Sequence, residues 1–111
     1  MTVFNGQFDG RFAQVGAANA PVSITIETPS IATGRSGFAW LHWSYDGTPT
    51  GGQITLTAGT LTYTIFITTG GPGFLPFSDT LFPPGQPVTI TLAAGGASVR
   101  GSLAALGVKI L

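Results

Sequence analysis

Ser36–Thr69, SGFAWLHWSYDGTPTGGQITLTAGTLTYTIFITT, is the stretch whose reading decides the fold. It divides into three β-runs separated by two turn signals and holds both tryptophans and both tyrosines of the chain. In the first run Phe38, Trp40 and His42 alternate with Ala39, Leu41, Trp43 and Tyr45. Large aromatics therefore stand on both faces of one strand, which predicts a strand covered on both sides. The second run sets Ile54, Leu56 and Ala58 against Gln53, Thr55 and Thr57, and the third sets Leu61, Tyr63, Ile65 and Ile67 against Thr62, Thr64 and Thr68. Alternation of apolar residues with threonine is the pattern of a half-buried strand. Asp46-Gly47 with Pro49-Thr50-Gly51-Gly52, and then Ala58-Gly59-Thr60, supply the turn residues between the runs, so an antiparallel meander is expected.

The pattern continues outward. Val22, Ile24 and Ile26 alternate with Ser23, Thr25 and Glu27 between Pro21 and Pro29, residues 31–33 could add a short strand, and Gly34-Arg35-Ser36-Gly37 turns into the aromatic strand. Residues 70–85, GGPGFLPFSDTLFPPG, read as a long Pro/Gly connection whose Phe74, Leu75, Phe77, Leu81 and Phe82 either cap the core or form a contact patch. Val88, Ile90 and Leu92 give another strand. Ala94-Gly95-Gly96 turns it into a run over 97–103, and Gly107 precedes an apolar end, Val108–Leu111, that should pair with a strand. The echo between GQITLTAG and GQPVTITLAAGG reads as recurrent hairpin chemistry, not a repeat. About eight short strands without helical periodicity predict an all-β fold, an antiparallel two-sheet β-sandwich of jelly-roll type.

Residues 1–20 differ. FNGQFDGRF spaces Phe4, Phe8 and Phe12 like a helical stripe, but Asn5-Gly6 and Asp9-Gly10 are turn dipeptides and each glycine costs a helix about 1 kcal/mol. The expected organisation is an extended or looped N-terminal arm, 1–20, with VGAANA as its joint, and a sandwich domain, 21–111. The arm's phenylalanines either fold back on the sandwich or dock on another subunit or particle.

At 111 residues the chain is one domain by length and long enough to build a core. With no cysteine there is no disulfide framework, thiolate zinc site or thiol nucleophile. Only 7% of the residues are charged, against about 25% in a typical soluble domain. That deficit suggests a surface covered by something other than water. Arg11, Arg35, Arg100 and Lys109 are scattered and the net charge is zero, so nucleic acid is not an expected partner. MTVFNGQFDG has neither a basic leader nor an apolar segment, so no secretory signal is expected unless the chain is already processed. Gly, Pro and Thr interrupt every long uncharged stretch, and no membrane partner is expected.

No catalytic constellation emerges. Asp9, Glu27, Asp46 and Asp79 lie in the arm, on a strand's polar face and in two loops, and their spacing brings no two together. His42 is the single histidine; it could act as a base or ligand, but one histidine makes no metal cluster, and a structural role is the plainer reading. Nucleophile-elbow, P-loop and dinucleotide fingerprints are missing. The chain is therefore read as a non-enzyme with no cofactor and no metal. Trp40, Trp43 and Tyr45 could instead stack on sugar rings, although core packing accounts for at least one of the tryptophans.

FAWLHWSYDGTPTGGQITLTAGT, ITTGGPGFLPF and PVTITLAAGGASVRGSL together resemble small all-β virion proteins of tailed bacteriophages, the capsid decoration or cement proteins, over roughly residues 36–106. The resemblance implies a β-sandwich, usually a trimer, on the outer surface of a capsid at a threefold or quasi-threefold position, clamping the major capsid protein. It implies a chain made in the host cytoplasm and carried on the virion. The low charge and the apolar Val108–Leu111 end separately suggest self-association. Phe4, Phe8, Phe12, Phe74 and Phe77 are the candidate partner-binding residues. The alternative is a carbohydrate- or receptor-binding module of a spike or fibre.

Overall fold

The computed structural model describes residues 6–26, 35–76 and 85–110, with side chains over 13–26, 40–75 and 85–107. Eight strands, β1 (Gly6–Ala18), β2 (Val22–Ile26), β3 (Arg35–Tyr45), β4 (Gln53–Ala58), β5 (Leu61–Phe66), β6 (Gly71–Pro76), β7 (Val88–Leu92) and β8 (Arg100–Ile110), form two four-stranded antiparallel sheets. Sheet I runs β1-β8-β3-β6 and sheet II runs β2-β7-β4-β5. These interleaved orders are those of a jelly roll, in which successive strands other than the β4–β5 hairpin cross between sheets, so that the two edges of each sheet come from different parts of the chain.

The core lies between the inner faces. Val22, Ile24 and Ile26 of β2, Ile54, Leu56 and Ala58 of β4, and Val88, Ile90 and Leu92 of β7 are buried from sheet II, and they meet Leu41, Tyr45, Leu103 and Ala105 from sheet I. The expected alternation holds on β2, β4 and β7, because one-sided burial pins register by parity. Tyr45 is fully buried, and its hydroxyl donates to the Ala93 carbonyl at 2.7 Å, meeting the need of a phenol inside a core. Burial pushes that phenol above its usual range, and a backbone hydrogen bond with Gln53 partly offsets the rise. The end of β3 is tied to β8 reciprocally: the Asp46 N–H donates to the Arg100 carbonyl at 3.0 Å, and the Arg100 N–H donates to Asp46 Oδ1 at 2.7 Å.

Four local expectations change. Ser36–Thr69 is not one meander: β4 and β5 form the expected hairpin, but β3 belongs to the other sheet. Turn residues at 46–52 specify a reversal, not which sheet receives the next strand. The connection 70–85 contains a strand, β6, paired with β3 from Tyr45↔Gly71 to Trp40↔Pro76. Prolines are tolerated there because β6 is an edge strand, where a missing N–H costs no ladder bond. Residues 6–18 of the expected arm form β1, which pairs with β8 along its length. Its Asp9-Gly10 dipeptide falls at a register shift between Phe8 and Gly10, so the chain bulges where a turn was expected. Finally, the two expected C-terminal runs are one strand, β8, paired with β1 and β3 through Gly107. The apolar end at Val108–Ile110 pairs inside sheet I, as expected of it; the possible strand at 31–33 lies outside the described residues.

Candidate functional site

Alternation on β3 sorts its aromatics between two environments. Leu41 and Tyr45 are buried and Trp43 packs half-buried against the core, while Trp40, His42 and Ser44 face outward. Tyr45 is thus a core residue, and the proposed sugar-stacking trio of Trp40, Trp43 and Tyr45 is divided between the two sides of sheet I. Trp43 is held by its neighbour across the ladder: a Cβ on Gly73 would fall within the indole ring, so only glycine lets β6 lie against that side chain. The register shift between Phe38 and Trp40 interrupts the alternation expected at the start of β3.

The outer face of sheet I is laid out by register. One row reads Ala13, Ala104, His42, Phe74 and the next reads Val15, Ser102, Ser44, Pro72, with Leu106 and Trp40 beside each other in the row above. Directly opposed side chains in such rows have Cβ atoms about 4.5–5.5 Å apart. The His42 ring stands edge-to-face against Trp40 at 5.1 Å and 78°, and against Phe74 at 4.6 Å and 77°. Phe74 is 55% exposed and Val15 is 72% exposed. Between them the small residues Ala13, Ser44, Ser102 and Ala104 leave a shallow cleft of about 270 Å³. None of these ten residues is Asp, Glu, Lys or Arg, while Arg11 of β1 lies opposite Leu106 at the end of the Trp40 row.

Such a face binds by apolar contact and shape, with the Ser44 and Ser102 hydroxyls and the His42 ring as its polar atoms. The ten residues of these rows include no carboxylate. Among the described residues, no three His, Cys, Asp or Glu side chains gather where they could hold a metal ion.

Of the candidate partner-binding residues, the structure places Phe74 on this face. Phe8 and Phe12 lie on β1 opposite Val108 and Ala105, with side chains outside the described set, and Phe4 and Phe77 lie outside the described residues altogether. Ala13, Val15, Ser102 and Ala104 were not singled out from the sequence. Small residues on two separate strands carry no local signal, and they become a cleft only once β1, β8 and β3 are paired.

No family model matches the chain, and no curated protein matches it. Solved structures that are similar in shape include the CBM36-1 domain of a multidomain xylanase from the hindgut metagenome of Trinervitermes trinervoides, at 17% identity and a TM-score of 0.45, covering 86% of this chain and 74% of that one. The C-terminal domain of A223, a structural protein of Sulfolobus turreted icosahedral virus, is 23% identical with a TM-score of 0.40, over 86% and 92% of the two chains. A chain of the acidic stable capsid structure of Helicobacter pylori bacteriophage KHP30 is 10% identical with a TM-score of 0.44, over 96% and 91%. At these identities and scores the likeness carries no argument about function.

Proposed function

We propose that the protein is a non-enzymatic structural component of a virion that docks on the outside of a capsid through the outer face of sheet I. The observation that carries this reading is the aromatic face around Trp40, His42 and Phe74 with its adjoining cleft. Exposed apolar patches on small soluble domains mark interaction surfaces, and aromatic side chains supply most of the energy at the centres of such surfaces. The resemblance of residues 36–106 to capsid decoration proteins names the partner class, a major capsid protein.

Purified particles mixed with the protein and imaged by negative-stain microscopy test it. The expected result is regular decoration by the wild type and loss of decoration by the double variant Trp40→Ser/Phe74→Ser, which still melts in one cooperative transition well above the assay temperature. Full decoration by that variant would overturn the assignment of this face. The same variant discriminates the carbohydrate reading, which the half-buried, outward-facing Trp40 ring near a cleft also favours. Retention of the wild type on a glycan array, lost in the variant and accompanied by no binding to particles, would replace the virion role with that one.

A further inference from the structure

Each sheet of a jelly roll ends in two strand edges, and an unpaired edge is a template for another strand unless something blocks it. Three of the four edges here are blocked. β6 carries Pro72 and Pro76, which lack N–H groups. β1 is bent by register shifts at Phe8/Gly10 and Val15/Ala18 and carries Asp9 and Arg11. β2 packs against β1 and β8 of the other sheet. Among the described residues the fourth edge, β5, has no such guard: LTYTIF contains no charge, proline or glycine, and its register with β4 runs unbroken from Gln53↔Phe66 to Ala58↔Leu61. Among the strands, β5 packs substantially against β4 alone. Thr62 and Thr64 are exposed, as are Tyr63 and Phe66, the last at 76%.

The phase of the free edge follows from one bond. The Ile67 N–H donates to the Gly52 carbonyl at 3.0 Å, which extends the β4–β5 register by one pair. In an antiparallel pair, alternate residues turn both backbone groups toward the partner and the others turn both away. Leu61, Tyr63, Ile65 and Ile67 therefore bond to β4, and the N–H and C=O groups of Thr62, Thr64 and Phe66 point out of the sheet.

We infer that β5 pairs antiparallel with β5 of a second copy of this chain, across a twofold axis through Tyr63, joining two copies of sheet II into one eight-stranded sheet. The strand is self-complementary in that register. Thr62 falls opposite the partner copy's Thr64, both with outward backbone groups, so the pairs exchange four hydrogen bonds about the axis. Leu61 falls opposite Ile65, so apolar meets apolar on the inner face and threonine meets threonine on the outer one. The pairing is isologous and closes at two copies, so it consumes the open edge instead of propagating a fibre. It goes beyond the virion role and does not depend on it. A threefold assembly would need another surface.

The test is a concentration series by light scattering coupled to size exclusion, with amide hydrogen exchange on the same samples. The wild type is expected to move from monomer to dimer mass, while the Thr62 and Thr64 amides become at least tenfold slower to exchange at the dimeric end. Thr64→Pro removes an outward N–H and leaves every β4 bond in place, so it is expected to stay monomeric with its melting temperature within a few degrees of wild type. T62K/T64K, which sets like charges opposite one another across the axis, should be monomeric as well and covers the case in which the proline variant fails to fold. A wild type that remains monomeric with rapidly exchanging β5 amides overturns the inference. So does an assembly that neither variant dissociates.

Discussion

The two outer faces of this sandwich are built on the same scaffold and made for different surroundings. On sheet II the register aligns Ser23, Thr91, Thr55 and Thr64 in one row and Thr25, Thr89, Thr57 and Thr62 in the next, eight hydroxyls with no aromatic among them. Several satisfy one another: Ser23 and Thr91 hydroxyls lie 2.9 Å apart, and those of Thr25 and Thr89 lie 3.5 Å apart. These two rows are stable against water as they stand, and Phe66, opposite Gln53 at the β5 edge and 76% exposed, is the exception on this face. On sheet I the corresponding rows hold His42, Phe74, Val15 and Pro72, with Trp40 beside them, and a cleft in place of a flat grid. A low overall charge does not make a molecule uniformly adhesive; hydroxyls can solvate most of one face while the other gathers a cluster of aromatics.

The largest effect that bears on this contrast comes from paired truncations on β3. Trp43→Ala, on the core side, is expected to cost about 3 kcal/mol in chemical denaturation. Trp40→Ala, two residues away on the outer face, should cost less than half of that. Equal losses would make Trp40 a core residue and remove the main anchor of the proposed docking face. Next comes Gly73→Ala, where the added methyl collides with the Trp43 indole and should destabilise by about 1–3 kcal/mol. Much of that loss should disappear in a Trp43→Leu background, and a double-mutant cycle measures the difference.

Tyr45→Phe removes the hydroxyl that donates to the Ala93 carbonyl and should cost about 1–2 kcal/mol at neutral pH. It also has a pH signature. The folded-state phenol titrates above its ordinary value of 10.0, so the unfolded chain releases its proton first as pH rises. Stability referable to this group is present below about pH 10 and falls as the solution is made more alkaline than that. The phenylalanine variant should show a shallower alkaline decline, and an identical decline would mean that other groups produce it. The smallest effect is expected on the threonine face. Thr57→Ser and Thr89→Ser should each change stability by no more than about 0.5 kcal/mol and leave partner binding intact. Loss of binding in either variant would move the docking surface to sheet II.

Much of the sandwich was legible in residues 22–26, 53–66 and 88–92, because alternation with threonine is enforced wherever one face is buried. Strand β6 was hidden for the converse reason. GPGFLP has the composition of a loop, and only an edge position, where proline's missing donor faces away from the ladder, makes a strand of it. β1 was obscured in the same manner, since Asp9-Gly10 is a turn signal that pairing with β8 converts into a bulge. The candidate site was partly visible: Phe74 was singled out as a contact residue, and Trp40 as one of three aromatics of undecided side.

The sequence by itself determined that this chain folds as an all-β sandwich, which strands have one buried face, and that no cluster of reactive side chains is encoded within any short segment. Those properties depend on period, turn chemistry and composition, all of which are local. Tertiary structure decided the rest: which sheet receives each strand, that Trp40 and Trp43 face opposite ways from an edge-proximal strand, that His42 meets Phe74, and that β5 is an edge strand paired with β4. These are outcomes of pairing between residues far apart in the chain, where many registers satisfy the same local pattern and the burial of a shared core selects among them.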